Sequence, residues 1–290
     1  MGVNKWLKRN TQSLAGRTAA VSGSTGGIGK ELCRILASLG AHLILIDRNR
    51  EKSEALGNAL KAEFQGVKIG YITADMSDME SVKRAADELL LTDVDYLILN
   101  AGAYAIPRKT CDTGYDNVFQ INFISPYYLA RRLFPLISER GGRIVAVSSI
   151  AHNYSKTNPL DIDFSENERA SRVYGNSKRF LTYSLLNLYG ESGVLSVSHP
   201  GISFTGITNH YPRLIFFIIK YPMKIIFMRP KKAALSVVKG IFTPTKQYEW
   251  IGPRLFNVWG LPKKRRLATA DVNEIEFITA EAEKIYAKFI

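Results

Sequence analysis

From Thr18 onward, short apolar runs alternate with amphipathic stretches, and this alternation limits the folds open to the chain. The runs are Thr18–Val21, His42–Ile46, Val67–Thr73, Tyr96–Leu99, Arg143–Val147 and Val194–Ser198. Between them lie segments with helical spacing: a glycine loop leading into a helix that ends near Leu39, then Arg50–Phe64 with Leu56, Leu60 and Phe64 on one face. Ser77–Leu91, Tyr115–Ser138 (despite Pro126 and Pro135) and Arg172–Tyr189 follow. Strands that are apolar throughout, rather than at every second residue, are buried on both faces and belong to a parallel sheet covered by helices. Right-handed crossovers then give an α/β, doubly wound, Rossmann-like sheet with helices on both sides. No linker or internal repeat interrupts residues 18–200, so a single domain over 1–290 is expected.

The first strand is followed by Ser22-Gly23-Ser24-Thr25-Gly26-Gly27-Ile28-Gly29. Glycines let the backbone approach a pyrophosphate, and the N–H groups that open the next helix attract negative charge. At this place in a βαβ pattern the loop predicts a dinucleotide site built on Gly23, Ser24, Thr25, Gly27, Ile28 and Gly29, within a core spanning 15–200. Asp47 ends the second strand. A carboxylate there can accept from ribose hydroxyls and repel a 2′-phosphate, which favours NAD; Arg48 beside it leaves NADP open.

Tyr174 and Lys178 stand four residues apart in a helical stretch and share a face. A phenol has a reference pKa of about 10, and a nearby ammonium favours its ionised form, so the pair is a candidate for proton transfer. No set of metal-ligating residues is apparent.

These features together resemble the short-chain dehydrogenase/reductase family over about residues 15–245, nearest in feel to its retinol dehydrogenase-like branch. The glycine motif is present with Ser22 in place of the usual Thr. Leu99-Asn100-Ala101-Gly102 matches the family's Asn-Asn-Ala-Gly with its first Asn lost. Asp75 with Met76, Asn122, Ser149, Tyr174 with Lys178, and Pro200-Gly201-Ile202-Ser203-Phe204-Thr205 complete the pattern. The resemblance implies hydride transfer with Tyr174 as acid/base, Lys178 supporting it and binding the nicotinamide ribose, Ser149 placing the substrate oxygen, and Asn122 holding a water that links Lys178 to solvent. It further implies cofactor contacts from Asp75, Met76, Asn100, Ala101, Gly102, Pro200, Gly201, Ile202 and Thr205. His152 is expected to be a packing residue of the nearby loop. The competing reading is a catalytically silent dinucleotide sensor or scaffold; the retention of Asn122, Ser149, Tyr174 and Lys178 argues against it.

The net charge of +13 is unevenly placed: residues 192–270 carry 13 basic groups and one acid, Glu249. Such a local excess is not the footprint of a nucleic-acid-binding protein. Residues 211–232 mix six basic groups with the apolar run Leu214–Ile219, far short of the ~20 residues that cross a bilayer. Residues 201–232 are therefore expected to form a substrate lid or a membrane-surface segment, and either fits a small apolar substrate such as a steroid, retinoid, polyprenoid or long-chain alcohol or ketone. The run Lys263-Lys264-Arg265-Arg266 reads as a solvated loop. Residues 271–290 read as an amphipathic helix that packs on its own domain, with a homo-oligomer seam as the alternative. Two cysteines, Cys33 and Cys111, imply no disulfide framework, and Met1–Arg9 lacks the apolar stretch of a signal peptide. A cytoplasmic location is expected, with association to a membrane surface left open.

Overall fold

The computed structural model describes residues 2–166, 169–201, 228–267 and 271–290. They form an eight-stranded sheet in the order β3-β2-β1-β4-β5-β6-β7-β8. The strands are β1 Thr18–Ser22, β2 His42–Asp47, β3 Ile69–Thr73, β4 Tyr96–Leu99, β5 Arg143–Val147, β6 Leu195–Ser198, β7 Glu249–Leu255 and β8 Trp259–Arg266. Neighbours from β3 through β7 run parallel; β7 and β8 pair antiparallel. The helices are α1 Val3–Asn10, α2 Gly27–Ser38, α3 Arg50–Glu63, α4 Met79–Leu90, α5 Asn117–Phe119, α6 Ser125–Glu139, α7 Ala170–Tyr189, α8 Pro230–Phe242 and α9 Val272–Ala287.

Two apolar cores lie on the two faces of the sheet, and successive strand residues feed them alternately. Ala20, Leu97, Leu99, Ile144 and Ala146 enter the core made with α4, α6, α7 and α9. Ala19, Val21, Ile98, Val145 and Val147 enter the core made with α1, α2, α3 and α8. This is the doubly wound arrangement that the uninterrupted apolar strands call for. Both cysteines are buried.

Three elements depart from the sequence reading. The helix expected over Tyr115–Ser138 is divided: a π-helical turn, Gln120–Ile124, separates α5 from α6. α8 and the β7–β8 hairpin give regular structure to residues 233–262, for which the sequence pattern suggested no element. Lys263–Arg266 is not a loop but the end of the edge strand β8, in register with Gly252, Ile251, Trp250 and Glu249 of β7. A charged edge strand blocks pairing with a further chain, which explains why a run without alternating apolar residues can still be a strand. No helix among the described residues is long and apolar enough to cross a membrane.

Candidate active site

The carboxyl ends of β1, β2 and β4 open on a cavity of about 650 Å³ lined by Gly23, Thr25, Gly26, Gly27, Ile28 and Gly29, by Asp47, Arg48, Asn49 and Lys52, by Asp75 and Met76, and by Asn100 through Tyr104. The glycine loop has no room for side chains. A Cβ on Gly29 would stand 2.2 Å from the Gly23 carbonyl, and one on Gly23, which is left-handed at φ +65°, would stand 2.9 Å from Ala101 Cα. The loop is pinned to β4 from below: Ser22 Oγ accepts from the N–H groups of Asn100 and Ala101, and Asn100 Nδ2 donates to the carbonyls of Ser22 and Gly23. Gly26 and Gly27 remain exposed at the open end of α2, where backbone N–H groups lack intrahelical partners.

Asp47 occupies its expected place at the cavity, with its carboxylate engaged inside the protein. It is 6% exposed, and its carboxylate accepts from Ser24 Oγ, Thr25 N at 3.1 Å, Thr25 Oγ1 at 2.8 Å and Ser53 Oγ at 3.0 Å. Four donors from the loop and α3 already saturate it, so it braces the glycine turn. Ser24, itself fully buried, serves Asp47 and does not face the cavity wall. Arg48 and Lys52 line the cavity next to it and are exposed. Lys52, in the first turn of α3, was not singled out in the sequence. Asp75 faces the cavity with its carboxylate held by Ser77 N and Oγ, both at 2.8 Å.

Ser149 caps the 3₁₀ helix Ile150–Tyr154, accepting from Ala151 N at 3.2 Å, and is hydrogen-bonded to the Tyr174 hydroxyl. Tyr174 packs against Val118, Phe164 and Val173 with Ile106 nearby, and Tyr104 meets it edge-on at 5.3 Å between ring centroids. Lys178 is buried one turn further along α7 and donates to the Val147 carbonyl at 3.0 Å. Its burial lowers its pKa to about 8. Burial dominates the Tyr174 hydroxyl and raises its pKa, with the Ser149 hydrogen bond opposing it. The ammonium lies 6.0 Å from the Tyr174 ring centroid and is turned to the Val147 carbonyl.

Asn122 sits in the π-helical turn and is fully buried. Both of its amide hydrogens are used, on Ala103 O at 2.8 Å and Val118 O at 2.9 Å, and its Oδ1 accepts from Ala103 N at 3.0 Å. The side chain therefore clamps the chain after β4, and does not present a free amide to a water. It still approaches Lys178: a Cβ on Gly102 would lie 2.9 Å from Asn122 Oδ1 and 3.5 Å from Lys178 Nζ. Pro200 is buried and Gly201, at φ +83°, packs against Pro253, Val258 and Met228. Ile202 and Thr205 lie outside the described residues, as do 211–227 of the expected lid.

A second tier of residues holds Ser149 in place. His152 is fully buried between Tyr183 and Trp250 and donates Nδ1–H to the Ser149 carbonyl at 2.5 Å. Arg179, next to Lys178, donates to the His152 carbonyl and is paired with Glu274 of α9, whose Oε1 also accepts from Thr157 N. His199 stacks on the other side of Trp250 and donates Nε2–H to Asn257 O at 2.9 Å. Burial depresses the pKa of His152 to about 4 and of His199 to about 3, so both are neutral near pH 7. Arg179 and Glu274 were invisible to motif reading, because their partnership spans 95 residues.

A family model described as short chain dehydrogenase matches residues 17–159, the part that builds the glycine loop, the Asn100 strand and the Ser149 turn. The chain belongs to the short-chain dehydrogenase/reductase family. Among curated relatives, a short chain dehydrogenase of Aspergillus nomiae is 36% identical over 53% of this chain and 45% of its own length. Human polyprenol dehydrogenase is 26% identical over 79% of this chain and 73% of its own. A solved structure of a Mycobacterium paratuberculosis protein superposes with a TM-score of 0.74 over 96% of both chains at 23% identity, and so shares the fold. The Pseudomonas aeruginosa RhlG/NADP complex matches with a TM-score of 0.60 at 25% identity, over 80% of this chain and 91% of that one. Against this background the C-terminal brace through Glu274 lies beyond the stretch that the short-chain dehydrogenase model matches.

Proposed function

We propose that the chain is an NAD(P)-dependent oxidoreductase that interconverts a hydroxyl and a carbonyl on an apolar substrate. The observation that carries this reading is Tyr174: its hydroxyl is hydrogen-bonded to Ser149, its ring is set in an apolar wall, and buried Lys178 lies one turn below.

The residues around the cavity fit a dinucleotide. The glycine turn has clearances that no side chain could share, and the open α2 N-terminus suits a pyrophosphate. Asp75 and Met76 would meet the base; Asn100, Ala101 and Gly102 would line the middle of the groove; Pro200 and Gly201 would face the nicotinamide end. When bound, the nicotinamide supplies or accepts the hydride. Tyr174 gives its proton to the forming alkoxide oxygen in reduction and takes it back in oxidation. Ser149 donates a hydrogen bond to the same oxygen and fixes its place. Lys178, protonated below about pH 8, supplies the positive charge that makes loss of the phenolic proton less costly. The raised pKa of Tyr174 keeps it protonated at rest, which suits carbonyl reduction.

Two features support finer choices. With Asp47 already saturated, Arg48 and Lys52 are the charged groups left to the far end of the groove, and they suit a 2′-phosphate, reversing the lean toward NAD. Ile106, Val118, Phe164 and Val173 beside Tyr174 suit an apolar substrate, and a matched relative is named a polyprenol dehydrogenase. A panel of polyprenols, steroids, retinoids and long-chain ketones, assayed with NADP(H) and NAD(H) in parallel, tests the reading. Turnover is expected on at least one apolar class, faster with the phosphorylated cofactor. Tight dinucleotide binding with no turnover on any class would favour the silent sensor.

A further inference from the structure

The tip of the β7–β8 hairpin is built against local convenience. Phe256 and Asn257 are consecutive left-handed residues, at φ +50° and +57°, closed by a hydrogen bond from Val258 N to Leu255 O at 2.9 Å. Asparagine or glycine is at home in such a turn; a phenylalanine is strained there. The strained ring is also 84% exposed, and Leu255 beside it is 52% exposed and Trp259 37% exposed. The strain thus brings the ring no burial within the chain. The tip is held outward: His199 takes hold of the Asn257 carbonyl from the end of β6, and Val258 and Pro253 pack on Gly201.

The ground behind the tip is cationic. Residues 228–267 carry ten basic side chains and one acidic one, Glu249, which pairs with Lys264. Arg254, Lys263 and Arg266, on the two strands that carry the tip, are exposed. Protection of an edge strand accounts for charges along β8, but not for an aromatic and a leucine offered to solvent at its turn. Exposed large apolar side chains rimmed by cations match the chemistry of an anionic bilayer surface, with the rings entering the acyl boundary and the basic groups lying among headgroups.

We propose that the β7–β8 hairpin docks the protein on anionic lipid membranes, with Phe256, Leu255 and Trp259 entering the interface. The inference stands apart from the reaction, since it uses neither Tyr174 nor the dinucleotide groove. It also differs from the expectation placed on 211–232, because it assigns the contact to the turn at 255–259.

Tryptophan emission offers a direct reading. Of the three tryptophans, Trp6 and Trp250 are 2% exposed, so a shift on adding vesicles reports on Trp259. The full-length protein is mixed with phosphatidylcholine vesicles, alone or containing phosphatidylserine, and followed by emission and co-sedimentation. Binding to the phosphatidylserine vesicles with a blue shift is expected, weakened by salt. Phe256→Asn removes the ring and relieves the turn, so the melting temperature holds or rises while binding falls roughly tenfold. Replacing Arg254 and Lys263 by Gln lowers binding roughly fivefold per charge. The proposal is overturned by three results: no binding at low salt, unchanged binding by both Phe256→Asn and Leu255→Ser, or a wild-type dimer that Phe256→Asn converts to monomer in light scattering. The last would make the tip an interface between copies.

Discussion

The half of the molecule from β1 to β5 and the half from α7 onward shape the same site by different means. The first works through the backbone: glycines that exclude side chains, and small polar groups such as Ser22, Asn100 and Asn122 that tie main-chain atoms together. The second works through bulky and ionic contacts buried against α7: Arg179 with Glu274, and Trp250 between His152 and His199. Backbone fitting tolerates almost no change of shape, whereas a buried ion pair tolerates change of shape but not loss of one partner. On the proposed function, the front half would set what can bind, and the back half how firmly Ser149 and Tyr174 are posed.

The sharpest test of this division is Tyr174→Phe. Removing the proton donor is expected to lower turnover by about 10²–10⁴, while dinucleotide affinity, set by the front half, stays near wild type in a fluorescence titration. Next comes Glu274→Ala. It leaves a guanidinium whose side chain is 5% exposed without its carboxylate, at a cost of about 3–5 kcal/mol in urea unfolding. A loss confined to surface-pair size, under about 1 kcal/mol, would show that the back half does not brace the site.

An intermediate effect is expected of Arg48→Ala, which removes the partner proposed for a 2′-phosphate. The ratio of NADP(H) to NAD(H) in kcat/KM should fall about tenfold, in line with a charged hydrogen bond of about 1.5–3 kcal/mol. An unchanged ratio would return Asp47 to the role first expected of it. The last test is in pH, where the effect is gradual. His152 and His199 have folded pKa values of about 4 and about 3, below the ordinary histidine value of 6.5. Below pH 6.5 the unfolded chain binds protons that the folded one refuses, so stability falls as the pH drops from 6.5 toward 4. The slope reaches about 1.4 kcal/mol per pH unit for each histidine, measurable by urea melts across that range.

Much of the front half was readable because each of its strands is a continuous apolar run and each of its turns carries a residue type with one physical use. The Tyr115–Ser138 helix was legible as a helix but not as a broken one. The π-helical turn comes from fitting Asn122 to the Ala103 backbone, a contact between elements that local spacing does not encode. The place of Asp47 was legible and its partners were not, since Ser24, Thr25 and Ser53 converge on it only when α3 folds back. β8 escaped detection because its side chains show no alternation; it is a strand by virtue of its pairing with β7.

The Arg179–Glu274 pair also sets an order of assembly. During synthesis the dinucleotide groove can take shape as soon as β4 and its turn have left the ribosome. The loop bearing Ser149 lacks its clamp until residue 274 arrives, 95 residues after Arg179. The walls of the glycine-loop groove are thus made early, and the loop that carries Ser149 is locked late, by a helix that also closes the core on the same face of the sheet.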